Sequence, residues 1–463
     1  MERTYTKDVI NKESSQVAVT GWVQARRDHG KIIFIDLRDA SGILQTVFIP
    51  SNKEAYAKVQ EVRPEWVVKI SGTVQKRPEN MRNAHIATGN FELTASGLEV
   101  ISRAETPPFP IDGDGYDVAE DARWKYRYLD MRRPRVLEIL RKRAETKKFI
   151  RDFLAVKGFI EIDTPILTKS TPEGARDFLV PSRLHQGKFY ALPQSPQQYK
   201  QLLMVAGFER YFQLARALRD EDLRADRGFE HTQLDLEMSF VEQKDVMELI
   251  EGLIIVLFED FGKKIYKKPF PVFEYKEALK KFGTDKFDLR TKKNPEEVAL
   301  AWVINFPVFV RDEKTKELTY SHNPFTAPRS EDIPKLLAHK DLENLVSLQY
   351  DLVCNGFEIG GGGIRINKAE VLEKVFETLG HSKEKIQKQF GHMLEAFRFG
   401  APPHGGIALG LDRILMILAG EEYLREVVAF PMTGSGETSV MEAPSEVDKR
   451  QLDELGLEVK KKK

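Results

Sequence analysis

The chain has 463 residues, enough for about two to four domains, and 41% apolar against 31% charged residues is a globular composition that excludes a disordered or fibrous chain. Lys plus Arg number 71 and so do Asp plus Glu, so a formal charge of zero does not advertise nucleic-acid binding, and any such surface must be a local basic patch. The single cysteine, Cys354, excludes an intramolecular disulfide framework and a zinc site built on several cysteines.

The first residues, MERTYTKDVINKESS, lack the apolar core of a signal peptide, and the longest apolar run, Val298 to Ile304, falls far short of the ~20 residues of a membrane span. A cytoplasmic protein with no membrane partner is expected. Residues 16 to 101 carry short β-branched or alternating runs: QVAVTGWV, KIIFIDL, ILQTVFI, WVVKISGTVQ and FELTASGLEVI. Five strands so closely spaced predict a small Greek-key barrel of the oligonucleotide-binding type; a barrel without a ligand is the plainer alternative. The cluster Thr106-Pro107-Pro108-Phe109-Pro110 reads as a stiff linker. Expected boundaries are therefore a barrel over 1–104, a linker over 105–125, a second domain over 126–445 and a charged, solvated tail over 446–463.

Pro134 marks a helix start, and Val136, Ile139, Leu140, Ile150, Phe153 and Leu154 recur near helical spacing until Gly158 supplies a stop. From there to about residue 430, strands follow one another through short turns, with helices around 243–258 and 367–398. This predicts an α+β domain, an antiparallel sheet flanked by helices.

Three segments carry chemistry. In Tyr211 to Phe240 the second half alternates: Thr232, Leu234, Leu236, Met238 and Phe240 share one face, while Gln233, Asp235, Glu237 and Ser239 share the other. Arg219 and Glu221 join the polar side if the first strand runs that far. The bland alternative is a solvated face with surface ion pairs. In SLQYDLVCNGFEIGGGGIRI, Asn355-Gly356 signals a two-residue hairpin that sets Val353 opposite Glu358 and makes Asp351 a diagonal neighbour of Glu358. Two such carboxylates suit Mg²⁺ on a phosphate ligand, or are two solvated acids. Glycines 360 to 363 then predict a bulge, because Arg365 otherwise has the wrong parity to share a face with Glu358. In GIALGLDRILMIL from Gly406, a strand becomes a helix at Gly410, with Asp412 and Arg413 at its start, where an arginine can hold a phosphate or stack on a base.

Together with KGFIEIDTPIL from Lys157, TPEGARDFLVPSR from Thr171, FYALPQSPQQYKQLL from Phe189, RDEDLRADR from Arg219 and HNPFTAP from His322, these segments resemble the class II aminoacyl-tRNA synthetases, the bacterial aspartate-specific branch above all. The resemblance implies a ligase acting on L-aspartate, ATP and tRNA with Mg²⁺, a homodimer through the segment at Pro165, and a barrel that binds the anticodon through Arg27, Phe34 and Gln45. It implies that Arg219 takes the α-phosphate and Glu221 the adenine amino edge. Arg413 would meet adenine and the γ-phosphate, beside Gly410, and Asp351 and Glu358 would hold Mg²⁺; Arg219, Arg413 and Glu358 are its catalytic set. Glu173, Gln197 and Asp235 would surround the substrate ammonium, Lys200 and Arg365 its side-chain carboxylate, and His322 would close over it.

The chain departs from that pattern at three places. Only about a dozen residues, Leu289 to Ala301, stand where a large inserted domain is usual; His231 replaces a phenylalanine beneath adenine; and Asn323 replaces a second histidine. A synthetase for asparagine or lysine and a non-catalytic RNA-binding relative remain open, as does charging of tRNA(Asn), for which His29 is the residue to examine.

Overall fold

Alternating apolar residues close the first part of the chain into a barrel of five strands: β1 (Gln16–His29), β2 (Ile32–Asp39), β3 (Gly42–Phe48), β4 (Val67–Lys76) and β5 (Phe91–Ser102). The order is β1-β2-β3-β5-β4 with β4 returning to β1, and of these pairings only β3 against β5 is parallel. Val19, Ile33, Ile35, Leu37, Val68 and Ile70 fill the interior, so the alternate side chains face outward. This is the oligonucleotide-binding fold that the spacing of strands predicts.

The structure, a computed structural model, describes residues 2–170, 175–312, 314–438 and 440–460. It divides into two compact units, Met1–Pro110 and Ile111–Lys463. The second contains α1 (Pro134–Val156), which begins on a proline whose missing N–H has no helical partner to lose, and which is followed by Gly158 at φ +79°. Its eight-stranded sheet uses β6 (Ile160–Glu161), β7 (Arg210–Leu218), β8 (Glu230–Ser239), β9 (Val272–Glu274), β10 (Leu300–Ile304), β11 (Gln349–Cys354), β12 (Phe357–Ile364) and β13 (His404–Gly410) in the order β9-β10-β11-β12-β13-β8-β7-β6.

The six central strands are antiparallel, as expected, but both edges are parallel to their neighbours. The reason is the connection: β6 reaches β7 through α2 (Gln197–Val205) and β9 reaches β10 through the helix Tyr275–Phe282, and a crossover through a helix delivers the next strand parallel. Helices α1, α3 (Gln243–Asp260) and α6 (Leu411–Ala419) cover one face of the sheet over Leu234, Leu236, Leu352 and Leu409; α4 (Ala369–Thr378) and α5 (Lys383–Phe397) form a second core cluster.

Three local expectations change. Phe240 does not extend the apolar face of β8, because the strand ends at Ser239 and Phe240 turns at φ +58° with its N–H on Pro403 O, leaving the ring 68% exposed. The helical stretch 367–398 is two helices, parted at Gly380 with φ +79°. Within the charged tail, Lys449–Leu455 is helical. Among the described residues no helix is long and apolar enough to cross a membrane.

Candidate active site

The polar face of β8 is not solvated. Gln233, Asp235 and Glu237 are 4%, 1% and 0% exposed, so each needs a partner. Lys200, from α2 and 1% exposed, sets Nζ 3.0 Å from Asp235 Oδ1 and 3.2 Å from Glu237 Oε2. Arg365 donates from Nε to Glu237 Oε1 at 2.9 Å and from Nη2 to Glu237 Oε2 and Gly406 O. Two cations and two carboxylates thus neutralise one another in a buried quartet. Lys200 and Arg365, expected to meet a substrate carboxylate, therefore already carry protein carboxylates as partners, as burial of two positive groups requires. Arg365 Nη1 stays outside these bonds and the residue lines a cavity of about 380 Å³.

The glycine run forms the neighbouring wall. Asn355 and Gly356, at φ +52° and +91°, close the hairpin, and Val353 faces Glu358. The ladder then slips: Leu352 pairs with Gly360, so Ile359 bulges one residue before the glycines and brings Gly361, Gly363 and Arg365 to the parity of Glu358. A Cβ on Gly361 would lie 2.9 Å from Asp351 Oδ1 and 3.5 Å from Glu358 Oε1, and one on Gly362 would lie 2.2 Å from Gly406 O. The run is therefore strand, not flexible loop, and its bareness makes room for the two carboxylates.

These carboxylates differ. Asp351 is buried; Gln349 Nε2 donates to its Oδ1, while Oδ2 accepts no aligned hydrogen bond and faces His322 Nε2 at 3.2 Å. Burial pushes its carboxyl up despite His322. Glu358 is a quarter exposed, and although burial opposes it, Lys286 Nζ at 2.8 Å holds its pKa below the usual value. His322, 27% exposed at the side chain, is disfavoured as a cation by burial, yet Asp351 and then Glu358 raise it to about 9. Asp285, His322 and Asp351 offer ligand atoms within 4.8 Å of one another. Asn323 accepts from Phe325 N at 2.8 Å and so fixes the turn after His322.

The third group sits past the end of β7. That strand stops at Leu218, so a loop rather than strand parity places Arg219 and Glu221 on the cavity. Arg219 Nε donates to Gln194 O, and Glu221 is paired with Arg227 at 2.7 Å. Arg413, in the first turn of α6, donates from Nη1 to Glu358 O at 2.6 Å and pairs with Asp226 at 3.0 Å. Asp412 beside it accepts from Thr232 N and from Arg143, tying α6 to β8 and α1. His231 shares the cavity face of β8; burial, then Arg219, pushes its imidazole down to about 4, so the ring is neutral at pH 7. Gly410 lies at the strand-to-helix junction, where a Cβ would meet only ordinary contacts at 3.8 and 3.9 Å, and Gln197 is 5% exposed at the start of α2.

Thus Gln197, Lys200, Arg219, Glu221, His231, Asp235, His322, Glu358, Arg365, Gly410 and Arg413 line one cavity, and Asp351 is attached to it through Gln349 and His322. Glu173 lies outside the described residues. Glu237, Asp285, Lys286 and Asp226 were not singled out as site residues from the sequence. Glu237 had a signal, its parity with Asp235; the other three are loop residues with none.

The family model described as tRNA synthetases class II (D, K and N) matches residues 119–434. The chain belongs to that family. It is a ligase that uses ATP as a substrate to join an amino acid to tRNA. The synthetase is 42% identical to an aspartate–tRNA(Asp/Asn) ligase of Halothermothrix orenii, over 99% of each chain, and 38% identical to an aspartate–tRNA ligase of Staphylococcus haemolyticus, over 98% of each. The first alignment runs over 586 residues against the 463 of this chain, so that relative carries residues without counterpart here. Among solved structures it is similar to an asparaginyl-tRNA synthetase from Pyrococcus horikoshii complexed with asparaginyl-adenylate (TM-score 0.74, 23% identity, 94% of this chain and 98% of that one). It is also similar to an aspartyl tRNA synthetase from Entamoeba histolytica (TM-score 0.72, 23% identity, 93% and 91%). At that identity the likeness shows the fold.

In the synthetase's barrel, residues 17–101 match an OB-fold nucleic acid binding domain. Register places Arg27 opposite Phe34, and Asp36 opposite Gln45, so all four side chains share the outward face of β1, β2 and β3. Phe34 is not core: Ile33 and Ile35 point inward, and the edge of His29 meets its ring at 5.7 Å. Arg27 is paired to Asp36 through both terminal nitrogens. Gln45 is only 7% exposed, and both ends of its amide are engaged, by Arg27 and by Glu92.

Proposed function

We propose that this synthetase activates L-aspartate with ATP and transfers it to the 3′-hydroxyl of the terminal adenosine of tRNA(Asp), with tRNA(Asn) as a second acceptor. The observation that carries the amino-acid assignment is the buried quartet with one uncommitted edge: among the described residues Arg365 Nη1 makes none of the quartet's bonds, and Arg365 lines the cavity together with Lys200. Aspartate and asparagine have nearly equal size, so shape cannot separate them; donors held in a buried site can, since an amide NH₂ set against them leaves hydrogen-bonding groups unpaired. The names of the relatives at 38% to 42% identity support the same assignment.

The aspartate α-carboxylate attacks the α-phosphorus of ATP in line and pyrophosphate leaves; the tRNA 3′-hydroxyl then attacks the acyl carbon of the aspartyl adenylate and AMP leaves. No side-chain nucleophile is needed, and catalysis is positioning and charge neutralisation. Arg219 takes the α-phosphate, Glu221 orients adenine, and neutral His231 and the Arg413 guanidinium stack about the base, Gly410 leaving room for it. Gln197 and Asp235 face the ammonium, with Glu173 their third partner, and His322 closes the pocket. Asp351 and Glu358 fit Mg²⁺, which supplies charge neutralisation on the phosphates when bound: they are hard oxygen donors, and Asp351 Oδ2 is buried without an aligned hydrogen bond.

Arg27 and Phe34 contact the anticodon, with Gln45 released from its present partners. Exposed Ile160, Ile166 and Leu167, at 50%, 47% and 51%, flank Pro165 beside the edge strand β6 and support a homodimer there. The place of work is the cytoplasm. Pyrophosphate exchange with aspartate, asparagine and lysine in parallel tests the reading: exchange driven by asparagine or lysine alone, or by none of the three, overturns it. Charging of purified tRNA(Asp) and tRNA(Asn) side by side decides the second acceptor.

A further inference from the structure

At the inner end of α2, behind the pocket, three side chains form a chain of hydrogen bonds that has a direction. His404 is fully buried and its Nδ1 lies 2.8 Å from Pro402 O. A backbone carbonyl only accepts, so Nδ1 carries the hydrogen, and in a neutral imidazole Nε2 is then a bare acceptor. Gln201, also fully buried, stands 3.1 Å away through its Nε2 and has to donate there. Its Oε1 is thereby turned to Gln197, whose Nε2 donates to it at 3.1 Å. The last free group is Gln197 Oε1, which makes no bond among the described residues, on a side chain that lines the cavity. Gln197 and Gln201 reach one another because i and i+4 share a helix face.

We propose that His404 and Gln201 are positioning residues that fix the amide of Gln197 with its carbonyl toward the pocket, where it accepts from the substrate ammonium. This rests on the reading above in which Gln197 faces that ammonium. A side-chain amide left to itself has two orientations of similar shape, and the wrong one points an NH₂ at a cation. The backbone carbonyl of Pro402 removes that ambiguity at a distance of three side chains. The surroundings keep the imidazole in the required neutral form: burial first lowers its affinity for a second proton, Arg365 and Lys200 work in the same direction, and Glu237 opposes them. From α5 the ring of Phe397, which carries no charge, packs at a steep angle to it at 6.4 Å.

The test is aspartate-dependent pyrophosphate exchange, with KM for aspartate and for ATP measured separately. His404→Leu removes the acceptor, and Gln201→Met breaks the middle of the chain without relying on the first variant's folding. Each should raise the aspartate KM about tenfold or more, the scale of one hydrogen bond to a charged group, and leave the ATP KM and kcat within about twofold. His404→Gln can donate to Pro402 O and accept from Gln201 with the two ends of one amide, so it should recover most of the aspartate affinity; a purely space-filling role would not be rescued in this way. Gln197→Met separates the two claims. If it leaves the aspartate KM unchanged, the ammonium reading fails; if it raises that KM while His404→Leu and Gln201→Met do not, the relay alone is wrong. Parallel rises in the aspartate and ATP KM with no rescue by His404→Gln also overturn it.

Discussion

Arg365→Leu is the most informative single change at this site, and it has two effects that must be separated. Glu237 is fully buried and held by Arg365 at 2.9 Å and Lys200 at 3.2 Å, while Lys200 is shared with Asp235. Deleting the arginine leaves two carboxylates on one ammonium in the interior, and breaking such a buried pair costs about 3 to 5 kcal/mol of stability. The substrate carboxylate loses its Nη1 donor and the charge behind it as well, which lowers kcat/KM for aspartate by roughly 2 to 4 kcal/mol, about 30- to 1000-fold. Adding Glu237→Gln in the same chain restores one cation to one carboxylate, Lys200 with Asp235. In the double variant the urea midpoint should return most of the way to wild type, whereas aspartate-dependent pyrophosphate exchange should stay depressed with the ATP KM little changed. If the double variant exchanges pyrophosphate at nearly the wild-type rate, Arg365 serves only as counter-ion to Glu237, and the assignment of the aspartate carboxylate to it is wrong.

Phe34→Ala, on the outward face of the barrel, should weaken tRNA charging by about 1 to 3 kcal/mol, the worth of one stacked base, and leave adenylate formation untouched; equal losses in both steps would mean that the barrel had unfolded. Asp351→Asn should drop the His322 pKa from about 9 to near or below the ordinary 6.5, read from the imidazole protons by NMR, because burial remains while its main counter-charge is gone; a value still near 9 would refute the pairing. A raised folded pKa also means that His322 contributes stability fully below pH 6.5 and loses it as pH rises through about 9, offset in part by the raised carboxyl of Asp351. Ile166→Asp should shift sedimentation from dimer to monomer and abolish exchange, and a fully active wild-type monomer would rule out the interface at Pro165.

What could be read from the sequence and what could not divide along a physical line. Periodicity records which side of a strand a residue faces, and a turn's need for positive φ records where the chain reverses; hence the barrel, the Asn355-Gly356 hairpin and the bulge demanded by the parity of Arg365 were all legible. Neither kind of signal says who stands opposite. Lys200 meets Asp235 across 35 residues and Arg365 meets Glu237 across 128, and the partners of Asp351 and Glu358 arrive on loops that hold His322 and Lys286. Gln233, Asp235 and Glu237 alternate with apolar residues in the same way whether that face is wet or buried; what tells the cases apart is the cost of an unpaired charge, which appears only when the fold is assembled. Once it is buried, the quartet's own charges cancel, so a net positive pocket cannot be what selects an acidic substrate. Selection has to come from donors and acceptors that the internal pairing leaves over: Nη1 of Arg365 for a carboxylate, Oε1 of Gln197 for an ammonium. The other hydrogen-bonding atoms of these two side chains are engaged within the protein, and for that reason residues placed behind the substrate, Glu237 and His404 among them, decide what the pocket can bind.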